Sequence, residues 1–227
     1  MRVPVLTIDG PSGSGKGTIA RRVATALGFH LLDSGALYRL VALAGSQQGV
    51  AVDDQEGHAR VARALDVQFG MDPAGQERIL LAGTDVTRAI RTETAGAEAS
   101  RVAAMPPVRT TLLRRQHAFA QPPGLVADGR DMGTVVFPGS PLKIYLTASP
   151  EERARRRHKQ LKDKGLTVTI AGLSQEIRER DLRDSSRPVA PLRPAADAVI
   201  LDSTGLTIEQ VVDQVLALAR SRLPAIS

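Results

Sequence analysis

The nine residues Gly10-Pro11-Ser12-Gly13-Ser14-Gly15-Lys16-Gly17-Thr18 constrain this chain more than any other segment. They stand between a short apolar, β-branched run at 3–8 and a segment at 16–27 where Ile19, Ala20, Val23, Ala24 and Leu27 recur at helical spacing, with Gly28 as its C-cap. Strand, glycine-rich loop and helix form the context in which such a loop holds phosphate. Glycines let the backbone turn tightly, so that successive N–H groups converge on phosphate oxygens, and the positive end of the helix adds to the attraction. Lys16 is placed to bridge the β- and γ-phosphates of a triphosphate. The general form of this loop has Ser or Thr directly after the lysine, where the hydroxyl meets Mg2+. Here Gly17 takes that place and Thr18 follows, so Thr18 is the candidate hydroxyl.

Beyond the loop the chain alternates between strand-like and helix-like stretches. Residues 29–32 read as a second strand ending at Asp33-Ser34-Gly35, and a helix is expected over 36–44. The middle of the chain breaks the alternation. A helix is expected near 56–65, then a β-hairpin from 67–69 and 78–81 with Asp72-Pro73-Ala74-Gly75 in the turn. Two helices follow at 92–104 and 108–120, with Pro106 and Pro107 suited to the first turn of the second. This stretch reads as an inserted subdomain. The pattern then returns with strands at 125–127 and 142–146, a basic helix opened by Ser149-Pro150-Glu151-Glu152, a charged helix at 172–184, a strand at 198–201 and a closing helix at 207–220. Short apolar strands alternating with helices argue for an α/β fold with a parallel sheet covered on both faces. Asp128 ends the strand at 125–127, which makes it the candidate carboxylate for Mg2+ beside the phosphate loop, directly or through water.

Composition narrows the ligand class. The net charge is +6 and most basic residues are arginine, whose planar fork matches phosphate oxygens two at a time. Aromatic residues make up 3% and tryptophan is absent, which argues against a base-stacking surface for nucleic acid. The charge is therefore expected to serve small phosphorylated molecules or to be solvated. Cysteine is absent, so disulfides, thiolate metal sites and thiol catalysis are excluded. The four histidines, at 30, 58, 117 and 158, lack metal-ligand spacing. No apolar run reaches about 18 residues and no secretory signal pattern is seen, so the expected compartment is the cytoplasm. A length of 227 residues suits one large α/β domain with an insertion.

Three further segments narrow the choice. Asp33-Ser34-Gly35-Ala36-Leu37-Tyr38-Arg39 follows the second strand, and Asp128-Gly129-Arg130-Asp131-Met132-Gly133-Thr134-Val135-Val136 ends the third. Glu179-Arg180-Asp181, Arg183-Asp184 and Arg187 precede Pro188-Val189-Ala190-Pro191-Leu192. With the phosphate loop, these segments make the chain resemble the bacterial cytidylate kinase family over nearly its whole length. The resemblance implies a P-loop NTPase-type five-stranded parallel sheet in a single domain. Its core would comprise 1–35, 121–150 and 167–227, with a monophosphate-binding insertion at about 36–120 and a lid at about 151–166. It implies transfer of the γ-phosphoryl group of ATP to CMP or dCMP, with Mg2+, in pyrimidine nucleotide metabolism. The expected partners are those small molecules, with no nucleic acid and no membrane, and the chain acting as a monomer.

By matched position, Ser34, Ser100, Arg109, Asp131 and Arg187 would surround the cytosine. Arg39 and Arg130 would hold the acceptor phosphate, and Arg180 and Asp184 would contact the sugar and its neighbourhood. Arg153, Arg156 and Arg157 share one helix face by their spacing, while Arg155 lies off it. A lid closing with them over the phosphates would neutralise charge and exclude water. Lys16, Arg130, Arg153 and Arg157 are thus the candidates to act on the transferring group. The acceptor is itself an ionised phosphate, so no general base is required. Two alternatives stay open: a P-loop kinase acting on UMP, AMP or shikimate, and a P-loop switch or nucleic-acid-stimulated ATPase.

Overall fold

The computed structural model describes residues 3–75, 77–163 and 168–223. These divide into two compact units, one of the residues up to Asp33 and from Gln116 onward, the other Ser34–Arg115.

The first unit is built on five parallel strands in the order β2-β6-β1-β7-β8. β1 (Val5–Asp9) and β6 (Leu125–Gly129) are buried at every residue. That is why both read in the sequence as unbroken apolar runs ending in an acid or glycine. β7 (Leu142–Thr147) flanks β1, while β2 (His30–Asp33) and β8 (Val199–Asp202) form the edges and are only partly covered. Helix α1 (Lys16–Leu27) packs with the C-terminal helix α8 (Ile208–Arg222) on one face of the sheet. There Leu6 and Ile8 meet Ile19, Ala20 and Val23 of α1 and Val211 and Val215 of α8. Burying each such side chain stabilises the fold by about 1.5–3 kcal/mol. Side chains alternate along a strand, so Thr7 and Asp9 point to the opposite face. Helices α6 (Pro150–Lys162) and α7 (Ile170–Ser185) pack on each other. Ser149 caps α6 through the Glu152 N–H with Pro150 following, the sequence signature that placed this helix.

The second unit begins with α2 (Ser34–Gln47), which packs on α3 (Gln55–Arg63) and α4 (Glu93–Val102). Between α3 and α4 lies an antiparallel sheet, β3 (Val67–Met71), β4 (Glu77–Leu81) and β5 (Thr84–Asp85). Helix α5 (Pro106–His117) carries the chain back to the first unit, with both prolines in its first turn.

Four elements differ from the expectation, one of them a short 3-10 turn at Ala89–Arg91 where no element was expected. Ser34 and Gly35 belong to the helix and not to the end of the strand, because α2 starts directly after β2. The hairpin is a three-stranded sheet; β5 has two residues, too few to show a period. Residues Met132–Val136, outside every expected element, form a single π-helical turn in which Phe137 donates to the Met132 carbonyl at 2.6 Å.

Candidate active site

The phosphate loop leaves β1 at Gly10, where a Cβ would lie 2.0 Å from the Leu146 carbonyl oxygen on β7. Only glycine fits that approach. At the other end Gly15 caps α1 with φ 88°, a left-handed conformation that costs a side-chain-bearing residue about 1–2 kcal/mol. The first turn of α1 carries no acidic residue, which leaves its N–H groups and positive end open to an anion. The Lys16 ammonium folds back over the loop and donates to the Pro11 carbonyl at 3.1 Å. Burial drives its pKa down to about 7; Arg130 and Arg180 lower it further, against Asp128 and Asp184. A bound anion would supply the counter-charge this ammonium calls for.

Asp128 explains the departure in the loop. A Cβ on Gly17 would sit 3.2 Å from the Asp128 Oδ2, so the carboxylate lies directly against the first turn of α1. A serine or threonine in that place would crowd it. Asp128 is 7% exposed and pairs in register with Ile8 of β1. Its oxygens are hard donors of the kind Mg2+ takes. Thr18, in the same helical turn as Gly17, is exposed. No cluster of three or more His, Asp or Glu suited to a metal exists among the described residues. A cation held by Asp128 would therefore complete its shell with nucleotide phosphates and water.

The segment after β6 is held from a distance. Arg130 Nε donates to Asp184 Oδ2 at 2.9 Å, and Arg187 Nη2 bonds the other oxygen of the same carboxylate. Burial pushes Asp184 up, but Arg130 and Arg187 overcome that and leave its carboxyl below the usual value. The three residues and Arg180, all within charge range of one another or of Lys16, come from the segment just after β6, from α7 and from the segment beyond α7. Asp131 is buried at 3% exposure immediately after Arg130. The π-turn that follows is capped by Asp9, whose two oxygens accept the N–H groups of Met132 and Gly133, each at 2.8 Å. Burial pushes the Asp9 carboxyl up to about 7, against those two bonds, with Asp131 and Asp128 adding to the rise.

The arginines of α6 diverge. Arg153 is buried, donating to the Ser12 carbonyl at 3.1 Å and the Ala148 carbonyl at 3.1 Å, and pairing with Asp181 at 2.6 Å. Arg156 reaches the Ser14 carbonyl at 3.3 Å and the Ser203 carbonyl at 2.6 Å, and pairs with Glu152. Arg157 bonds Gln160 at 3.0 Å. Arg153 and Arg156 thus grip the Ser12 and Ser14 carbonyls of the phosphate loop. The end of the expected lid, from 164 onward, lies outside the described residues.

Within the second unit, Ser34 starts α2 and Ser100 is buried on α4, the helix packed against it. Arg109 lies over the Tyr38 ring, 5.9 Å from its centre, and donates to the Ala103 carbonyl at 3.2 Å. Arg39 donates to the Ile90 carbonyl at 2.6 Å and the Thr92 carbonyl at 3.3 Å. Sequence reasoning gave no role to Asp9, Asp181 or Tyr38. An acid ahead of a glycine loop carries no pattern of its own, and the partners of all three are remote in sequence or on other elements.

A glycine loop between strand and helix, a lysine bent over it and a carboxylate against it on the neighbouring strand place the chain among the P-loop kinases. The model of the cytidylate kinase family matches residues 6–221, and the chain belongs to that family. It is 62% identical over 216 residues to the cytidylate kinase of Stutzerimonas stutzeri, covering 95% of this chain and 94% of that one. It is 58% identical to the cytidylate kinase of Marinomonas sp. strain MWYL1 and 60% identical to that of Pseudomonas paraeruginosa, covering 94% of both chains in each case. No helix among the described residues is long and apolar enough to cross a membrane.

Proposed function

We propose that the chain transfers the γ-phosphoryl group of ATP to CMP or dCMP, giving ADP and CDP or dCDP. One observation carries the reading. The amino group of Lys16, the phosphate-loop lysine, feels the charges of Arg130, Arg180, Asp128 and Asp184, which come from segments more than a hundred residues downstream. Phosphoryl transfer needs lysine and arginine charges near the place the β- and γ-phosphates take, with a carboxylate for the metal, because it runs on positioning and on neutralising equatorial oxygens.

In this reading the N–H groups of the loop at 10–18, Pro11 having none, cradle the ATP phosphates and Lys16 bridges them. Asp128, with the Thr18 hydroxyl, would hold Mg2+, which would supply charge neutralisation on the phosphates. Arg130 and Arg39 hold the acceptor phosphate. Asp131, Arg109, Ser34, Ser100 and Arg187 surround the cytosine, and Arg180 and Asp184 the sugar. Asp184 has a second task, because it fixes Arg130 and Arg187. Arg153 and Arg157 neutralise the transferring group once nucleotide is bound; until then Arg153 braces the loop through Ser12. The test is a coupled ADP assay with ATP and CMP, dCMP, UMP, AMP and GMP in turn. Turnover highest with CMP and dCMP is expected. ADP release that ignores the monophosphate, or that rises only with DNA or RNA, overturns the reading.

A further inference from the structure

Asp9 lies outside every role assigned above, yet it is the last residue of β1 and directly precedes the phosphate loop. It is 5% exposed and points away from α1, toward the face where the π-turn sits. Its Oδ1 accepts from Met132 and its Oδ2 from Gly133, each at 2.8 Å. These are the first N–H groups of the turn, which the turn itself cannot satisfy. On the other side, the Asp131 carbonyl accepts the N–H groups of Val135 at 2.9 Å and Val136 at 3.2 Å. The backbone of Asp131 is therefore clamped by the turn it opens, and the turn is clamped to β1 by one carboxylate. There is no slack beneath it. A Cβ on Gly133 would meet the Thr7 hydroxyl at 2.9 Å and the Lys143 stem at 3.2 Å.

We propose that Asp9 is a positioning residue for base choice: its carboxylate sets the place of Asp131, and through it the preference for cytosine over uracil. This rests on the reading of Asp131 as a group that accepts from the cytosine amino group. Cytosine offers a donor at that edge where uracil offers an acceptor, so a carboxylate in the right place favours the first and repels the second. The preference needs the carboxylate held firmly, and the backbone that carries it is fixed by the turn and by Asp9.

The experiment is steady-state kinetics of Asp9→Asn on the full chain. The amide keeps the volume but has one acceptor oxygen, so one of the two N–H groups faces an NH2 group. The expected result is a KM for CMP raised roughly tenfold, a KM for ATP within about twofold, and a CMP-to-UMP ratio of kcat/KM reduced roughly tenfold. Asp131→Asn is measured beside it. If Asp131→Asn narrows the ratio and Asp9→Asn does not, the proposal is overturned while the base-reading role stands. If Asp131→Asn leaves the ratio unchanged, the base-reading role fails and takes the proposal with it. Equal rises in both KM values with the ratio intact would make Asp9 a brace of the phosphate loop and overturn the proposal. Should Asp9→Asn not fold, Gly133→Ala displaces the same turn from the Thr7 side with Asp9 in place. A narrowed ratio there supports the proposal, and an unchanged one overturns it.

Discussion

Two loops leave neighbouring central strands of the same sheet, side by side at Asp9 and Gly129, and they are built on different principles. The phosphate loop carries its shape in its own residues: glycines at 10, 13 and 15 and a helix that starts at Lys16. Its cations then grip it from outside. The loop after β6 holds one glycine past its charged pair, at 133, and takes its shape from elsewhere, from Asp9 through 132 and 133 and from Asp184 through Arg130. A loop made of backbone tolerates remote change, whereas a loop made of borrowed side chains transmits it. On the proposed function, the first would serve a ligand part common to all nucleotides and the second the part that distinguishes them.

The largest effect should come from cutting the second loop's anchor. Asp184→Asn leaves Arg130 and Arg187 without their shared carboxylate at a site where side-chain exposure is 16% and 5%. Breaking one partner of a buried pair costs about 3–5 kcal/mol, read as a lower urea midpoint. The pH dependence has a defined sign. The folded value of Asp184 lies below its ordinary 3.8, so the wild type holds this contribution in full above that pH and loses it as acid titrates the folded carboxylate. The wild-type and Asp184→Asn stabilities should therefore converge in acid. Parallel curves down to low pH would show that the cluster is not what anchors the loop.

Next comes the first loop. Lys16→Met removes the preorganised cation and should cost about 2.7–4 kcal/mol in the transition state, a loss of roughly 10²–10³ in kcat. Stability should not fall, since the variant relieves a desolvated ammonium. Near-normal turnover in the folded variant would erase the functional contrast between the loops.

Asp131→Asn tests the second loop's side chain without touching its frame. The CMP kcat/KM should drop by the equivalent of about 1–3 kcal/mol, with the gap to UMP narrowing because the amide can donate to the uracil oxygen. Equal losses on both substrates would make Asp131 a scaffold residue.

The smallest effect belongs to the surface of α1. Arg22 pairs with Glu209 of α8 at 2.8 Å, but the two side chains are 48% and 66% exposed. Solvent screens such a pair, so Arg22→Ala should leave the denaturation midpoint and the KM for ATP unchanged. A clear shift in either would mean that α1 is held under the phosphate loop by charge and not by the Leu6, Ile8 and Val23 core.

How much of this was written locally is uneven. The loop at 10–18, the buried strands β1 and β6 and the capped start of α6 were legible because each is specified by residues within a few positions of one another. Glycine spacing, apolar runs and a Ser-Pro-Glu-Glu cap act over single turns, where chain connectivity alone brings the groups together. The π-turn, the third strand of the small sheet and the helical start at Ser34 were not legible, for their signals are one or two residues long. What only the tertiary structure decided is which charge serves which partner. Arg153 turns to Ser12 and Asp181, at separations of 141 and 28 residues; Arg130 turns to Asp184, 54 residues on; Asp9 turns to residues 123 and 124 positions away. Three arginines on one helix face look equivalent by spacing, but burial separates them. A guanidinium enclosed beside a carboxylate and a carbonyl must bond both, and which of them lie within reach is set by how the sheet stacks β1, β6 and β7, a packing that no window of the sequence contains.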